Sequence, residues 1–263
     1  YTPSSRFAWF ETGKMGEPWN ADWISDSEDT LQLSAPYFRK EFTISRPVAD
    51  ARIYLAAGGL ADLWINGNRA DSTLLNPMFT QYDKRCLYMT YDVTRCLNEG
   101  GNAVGIVLGN GWYNFQSHAV WNFETAPWRN RPTFMLELVV RYQDGSCERI
   151  KSDTSWKTSF GPIVFNSIYT GEHYDARKEL TGWSEPGYED NGWRNAVLRD
   201  APSRQIVSQV LSPIRITEKF TGLECRKLSD SIYVFKLPVN IAGVSKLRVQ
   251  GERGTVIRLK HGE

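Results

Sequence analysis

Short apolar runs bounded by turn residues recur along the chain, and no stretch sustains a helical period. Residues 51–57 (ARIYLAA) and 60–65 (LADLWI) are rich in Ile, Leu, Tyr and Trp. Gly58-Gly59 separates them and Asn66-Gly67 follows. Such runs read as strands. Asn-Gly predicts a hairpin, because both central positions of its turn need positive φ. Residues 86–93 and 103–108 supply two more strands, the second running into Gly109-Asn110-Gly111. Residues 37–44 (YFRKEFTI) set Phe38, Phe42 and Ile44 against Arg39, Glu41 and Thr43, which predicts an edge or outer strand with one apolar face. Residues 133–141 and 147–152 predict a hairpin around Asp144-Gly145. Residues 155–157 read as a short strand, 203–210 as a closing strand and connector, and 175–180 as one helical turn. Trp64, Ile106, Leu108, Leu136 and Leu138 are the predicted core. The class is all-β, an antiparallel sandwich.

Beyond residue 210 the same alternation restarts. Residues 214–220 and 231–237 read as strands, and 247–250 with 255–259 as a last hairpin around Glu252-Arg253-Gly254. The 263 residues exceed a usual single domain, so one large domain plus pieces of others is expected.

Composition sharpens the picture in three places. A formal net charge of +1, with signs mixed along the chain, argues against a nucleic-acid partner. Cys86, Cys96, Cys147 and Cys225 form no CxxC pair and have no neighbouring His, which argues against zinc while leaving a disulfide open. No apolar run approaches the roughly 18 residues a helical membrane span needs, and no signal peptide is evident. Without an initiator Met the chain reads as a piece excised from a longer protein. Ten Trp, twelve Tyr and twelve Phe give two readings, core filler or exposed rings that stack on sugars. The aperiodic stretch 114–131 holds His118, Trp121, Phe123, Trp128, Arg129 and Arg131. Loops this long are often functional, but these rings also suit a cover tucked over one end of the sandwich.

Several of these motifs carry a resemblance. ARIYLAAGGLADLWINGNRA from Ala51, TQYDKRCLYMTYDV from Thr80 and NAVGIVLGNGWYN from Asn102 resemble the N-terminal region of bacterial α-L-rhamnosidases, glycoside hydrolase family 78. The likeness continues through IYTGEHYDAR (168–177) and GWSEPGYEDNGW (182–193). It implies a galactose-binding-like jelly-roll sandwich followed by the incomplete start of a second β-sandwich. The implied division is a linker or tail of an upstream module (1–20), a jelly-roll carbohydrate-binding-like domain (21–210) and a partial second sandwich (211–263). The segment from Phe235 to Glu263 resembles that second module, departing from it where FKLP replaces an expected FxxGQ.

The resemblance also implies where the chemistry lies. Glycosidases work with two carboxyl groups flanking the scissile bond, and in this family those lie in a downstream helical barrel, of which these residues show no trace. Glu172 and Asp175 are the tempting pair here, with a charged network involving Arg177 as the competing reading. No catalytic residue is therefore assigned, and the chain alone is expected to be inactive. The candidate carbohydrate-binding residues are Asn110, Trp112, Asn166, Glu172 and Asp175. Calcium is the one implied cofactor, at Asn110 and Asn166, although Gly109 stands where an acidic ligand could be. The implied partners are an L-rhamnose-containing carbohydrate and the catalytic domain of the same protein, with no nucleic acid and no membrane. A periplasmic or extracellular setting is expected. The alternative is an interdomain sandwich that positions the catalytic domain and binds no sugar.

Overall fold

A computed structural model describes residues 11–118 and 120–262. The chain divides into two compact units, Tyr1–Ile214 and Arg215–Glu263. The aromatic run at 7–10 lies outside the described residues.

The described residues of the first unit form the strands β1 (Ile24–Ser25), β2 (Pro36–Ile44), β3 (Val48–Gly58), β4 (Leu60–Ile65), β5 (Asn68–Arg69), β6 (Thr73–Leu74), β7 (Cys86–Asp92), β8 (Gly100–Gly109), β9 (Thr133–Tyr142), β10 (Cys147–Lys151), β11 (Lys157–Phe160), β12 (Ile163–Ser167), β13 (Gly171–Tyr174), β14 (Arg194–Asn195), β15 (Val197–Leu198) and β16 (Ile206–Ser208). One sheet runs β15-β1-β9-β3-β7-β16, with β10 also on β9; the other runs β14-β11-β2-β8-β4-β5. β12 and β13 form a separate hairpin. All these pairings are antiparallel except that of β16 with β7. Among the described residues helix is confined to single 3-10 turns at Thr94–Cys96, Phe123–Thr125 and Ala176–Lys178. No helix among the described residues is long and apolar enough to cross a membrane.

The two sheets enclose one core. Ile53 and Leu55 of β3, Leu63 and Ile65 of β4, Ile106 and Leu108 of β8, and Leu136 and Leu138 of β9 meet there. Leu136 is fully buried, so Leu136→Ala should cost about 2–5 kcal/mol, read as a lower urea midpoint at unchanged slope. Asn66 and Gly67 turn the β4–β5 hairpin with φ of 49° and 83°, the mirror-image turn their dipeptide predicts.

The outer faces are covered as well, which local alternation did not disclose. Trp64 is not a core residue: it is half-buried on the outer face of its sheet, edge-on to Trp183 at 6.0 Å. Nor is β2 an edge strand. It lies between β11 and β8, and Arg39 on its outer side is 1% exposed. Residues 180–193 lie over this face, where Tyr37, Trp183 and Trp193 cluster. On the opposite sheet Trp19 and Ala21 pack against Tyr54, Tyr88 and Val139. Part of the segment 11–20 is held against this sheet by polar contacts as well. Lys14 Nζ reaches the buried Glu137 carboxylate at 2.5 Å, and the Asn20 N–H donates to the same group.

The second unit holds one hairpin, Glu224–Lys227 with Tyr233–Lys236. Residues 247–250 and 255–259, predicted as strands, carry no ladder. Their turn does form, through Thr255 N–H to the Glu252 carbonyl at 3.1 Å.

Candidate functional site

β8 pairs with β4 as far as Leu60↔Gly109 and so delivers Asn110 to one end of the sandwich. The backbone is tight at this point. Gly59 has φ +105°, and a Cβ there would lie 2.5 Å from the Gly109 carbonyl oxygen. Gly111 has φ +50° and turns the chain back.

Asn110 is 2% exposed and bonded in every direction. Its backbone N–H donates to Asn166 Oδ1 at 2.7 Å, and its Nδ2 donates to the Asn166 carbonyl at 3.0 Å. Its own Oδ1 accepts from Asn114 Nδ2 at 3.0 Å. Asn114, fully buried, also accepts from Arg129 Nε at 3.2 Å. The structure thus brings Asn110 and Asn166 together, with both Asn166 oxygens accepting from Asn110 and Asn110 Oδ1 accepting from Asn114. Asn166 Nδ2 is buried and has no hydrogen-bond partner.

Trp112 joins a second assembly beside this one. It stacks on Phe115, fully buried, at 5.6 Å between centroids and 11° between planes. Phe79, Phe123 and Tyr169 stand at 5.3, 5.1 and 5.5 Å from Trp112, with interplanar angles of 54°, 70° and 88°. Phe79 and Tyr169 are about half exposed. Trp128 closes the far side, with Nε1 donating to the Trp112 carbonyl at 3.4 Å.

The stretch 114–131 therefore divides between its two readings. Phe123 and Trp128 are tucked against Trp112, while Trp121 is 71% exposed. His118 Nδ1 contacts the Glu124 carboxylate near the surface. Arg131 points inward and is bound to Asp26.

Glu172 faces Asn166 across the β12–β13 ladder, and its side chain is exposed. Its carboxyl is held above the ordinary range, first by partial desolvation and then by the charge of Asp62. Asp175 is occupied elsewhere. Arg177 clamps both its oxygens at 2.7 and 2.8 Å, and the Asp175 side chain caps the turn Ala176–Lys178. Those hydrogen bonds hold its carboxyl down at about 2. The hairpin touches the rim through Ser117 Oγ, which contacts Ser167 Oγ and lies 3.2 Å from Thr170 Oγ1.

Sequence reasoning missed Asn114, Phe79, Phe115 and Tyr169. Asn114 had a local signal, four residues after Asn110 within GNGWYN. Phe79 and Tyr169 come from separate segments and had none.

A family model described as the α-L-rhamnosidase N-terminal domain matches residues 46–218. A Streptomyces avermitilis α-L-rhamnosidase is 38% identical over 233 residues, 88% of this chain and 22% of that protein. A Formosa agariphila α-L-rhamnosidase is 33% identical, covering 98% of this chain and 26% of its own length. The chain thus spans about a quarter of these curated relatives. Among solved structures, an α-L-rhamnosidase from Dictyoglumus thermophilum superposes with a TM-score of 0.75 at 38% identity, over 84% of this chain and 26% of that one. The S. avermitilis α-L-rhamnosidase complexed with L-rhamnose gives 0.73 at 35% identity, over 78% and 20%.

Proposed function

Since the chain belongs to the α-L-rhamnosidase N-terminal domain family, we propose that it is a non-catalytic, carbohydrate-binding-like part of an enzyme that removes terminal L-rhamnose from glycans or glycosides. The supporting observation is the ring cluster around Trp112 at a strand end, with Phe79 and Tyr169 about half exposed. Rings held this way offer apolar faces to the C–H surfaces of a sugar, and neighbouring Ser117 and Thr170 offer hydroxyls. Its partners on this reading are the carbohydrate and the catalytic domain of the same protein. The division proposed is a jelly roll over 21–210 and the opening of a second sandwich over 211–263.

The carboxylates support a non-catalytic role. Glycoside hydrolysis by inversion needs one carboxyl group kept protonated as acid and a second ionised as base, on opposite sides of the bond. Asp175 is ionised, as a base would be, but both its oxygens accept from Arg177, which commits it to fixing its own turn. Glu172 would have to act without it. The isolated chain is expected to release no L-rhamnose from an aryl α-L-rhamnoside. Turnover that disappears in Glu172→Gln would overturn this and make Glu172 catalytic.

One observation favours the alternative, an interdomain sandwich that binds nothing: the inward bonding of Asn110. Titration with L-rhamnose separates the two. Saturable binding supports the carbohydrate reading, and none leaves the structural one.

A further inference from the structure

Taking the carbohydrate reading of the domain as its premise, we propose that this rim takes its sugar without calcium, on a platform of Phe79, Trp112 and Tyr169. The Asn110–Asn114–Asn166 cluster beside it then acts as a strut.

Calcium is the ion that resemblance implies for Asn110 and Asn166, and their arrangement does not fit it. Ca²⁺ takes six to eight oxygens, carboxylates prominent among them, to offset its dehydration. Asn110 Oδ1 accepts from Asn114, while Asn166 Oδ1 and the Asn166 carbonyl both accept from Asn110. These are neutral oxygens already serving as acceptors in a buried network. Turning them toward an ion would strip a buried backbone N–H and two amide groups of their partners. Carboxylate help is limited to Glu172, opposite Asn166 on the β12–β13 ladder, whereas Ca²⁺ sites usually draw on several acids. Position 109 is glycine, Asp175 is clamped by Arg177, and no group of three His, Cys, Asp or Glu residues among the described ones could hold a metal.

The rings are arranged to do what the ion would not. Trp112 lies parallel on Phe115, which is fully buried, so its orientation is fixed from below. Phe79 and Tyr169 flank it and are 46% and 54% exposed. The segment presenting Phe79 is held as firmly. Leu75 sits at φ +53°, a strained conformation for a Leu that persists only where the surroundings impose it. Here the Asn76 carbonyl accepts from Ala61 N–H at 2.8 Å, and Met78 N–H donates to Gln209 Oε1 at 2.8 Å. A preformed platform needs no ordering on binding. A 6-deoxy sugar such as L-rhamnose suits it, because the methyl group at C5 extends the apolar surface set against the rings.

Isothermal titration of the full chain with L-rhamnose, in Ca²⁺ and in chelator, tests this together with thermal melting under both conditions. Equal affinity and equal melting temperature are expected with and without Ca²⁺. Phe79→Ala and Tyr169→Ala, at exposed rings whose loss leaves the core intact, should each weaken binding about three- to tenfold. Asn110→Ala should lower the melting temperature by the same amount in both conditions. Binding seen only in Ca²⁺, a Ca²⁺-dependent rise in melting temperature, or binding indifferent to both ring variants would overturn the platform while leaving the carbohydrate reading in place. No binding in either condition would overturn the carbohydrate reading itself, and the platform with it.

Discussion

Arg131→Leu is expected to lower folding stability by about 3–5 kcal/mol, because it strands a buried carboxylate. Arg131 and Asp26 side chains are each 1% exposed. They meet fork to fork, Nε to Oδ1 at 3.0 Å and NH2 to Oδ2 at 2.6 Å. The remaining guanidinium donors reach the Gln32 and Ser34 carbonyls at 2.8 and 3.0 Å. One side chain thus ties the 26–34 segment to the start of β9. A leucine keeps the packing volume but leaves Asp26 charged and shut off from bulk solvent, and orphans two carbonyls. Asp26→Leu combined with Arg131→Leu removes the stranded charge and should recover part of the loss. The measurement is urea unfolding of both variants, compared at equal slope. A single-variant loss below about 1 kcal/mol would mean that water reaches Asp26 and that the pair is not sealed.

What the sequence made legible follows from where each partner lies along the chain. β3, β4, β8 and β9 were readable because alternation and the Asn66-Gly67 turn are local signals. Arg39 and Glu41 look like a solvated face from the same local evidence. What covers them is a segment far along the chain, so β2 reads as an edge strand when it lies inside its sheet. Trp64 was misplaced for the same reason, since Trp183 covers the outer side of its strand. Lys14 has no apolar context in sequence, and only the buried Glu137 explains its inward turn. At the rim, Gly109-Asn110-Gly111 marked a strand end where backbone crowds, and that position was readable. The role of Asn110 was not, because it depends on whether its amide faces outward. Asn114 and Asn166 decide that, and Asn166 arrives on a hairpin that pairs with neither main sheet.

Arg39→Leu is the second change expected to be large, at about 2–4 kcal/mol, and it should act on one segment first. Arg39 Nε donates to the Trp183 carbonyl at 2.9 Å, and NH2 to the Glu185 carbonyl at 3.0 Å. NH1 pairs with Asp190 and NH2 with Glu41, while the guanidinium lies 5.3 Å from the Tyr188 ring. A planar fork is needed to serve carbonyls and carboxylates on several sides at once, and a lysine ammonium cannot do so. Asp190 and Glu41 side chains are 24% and 42% exposed, so water can take over those two charges, and the cost should fall below that of Arg131. The orphaned carbonyls cannot be served so easily. Their segment carries Trp183 and leads to Trp193, which with Tyr37 seal the outer face of the sheet. Backbone amides of 183–190 should therefore exchange faster in Arg39→Leu while those of β3 and β9 change little, the signature of a local opening. Arg39→Lys should recover less than half of the stability. A lysine variant as stable as the parent, with unchanged exchange over 183–190, would show that packing of the two Trp rings holds this segment and that the guanidinium does not.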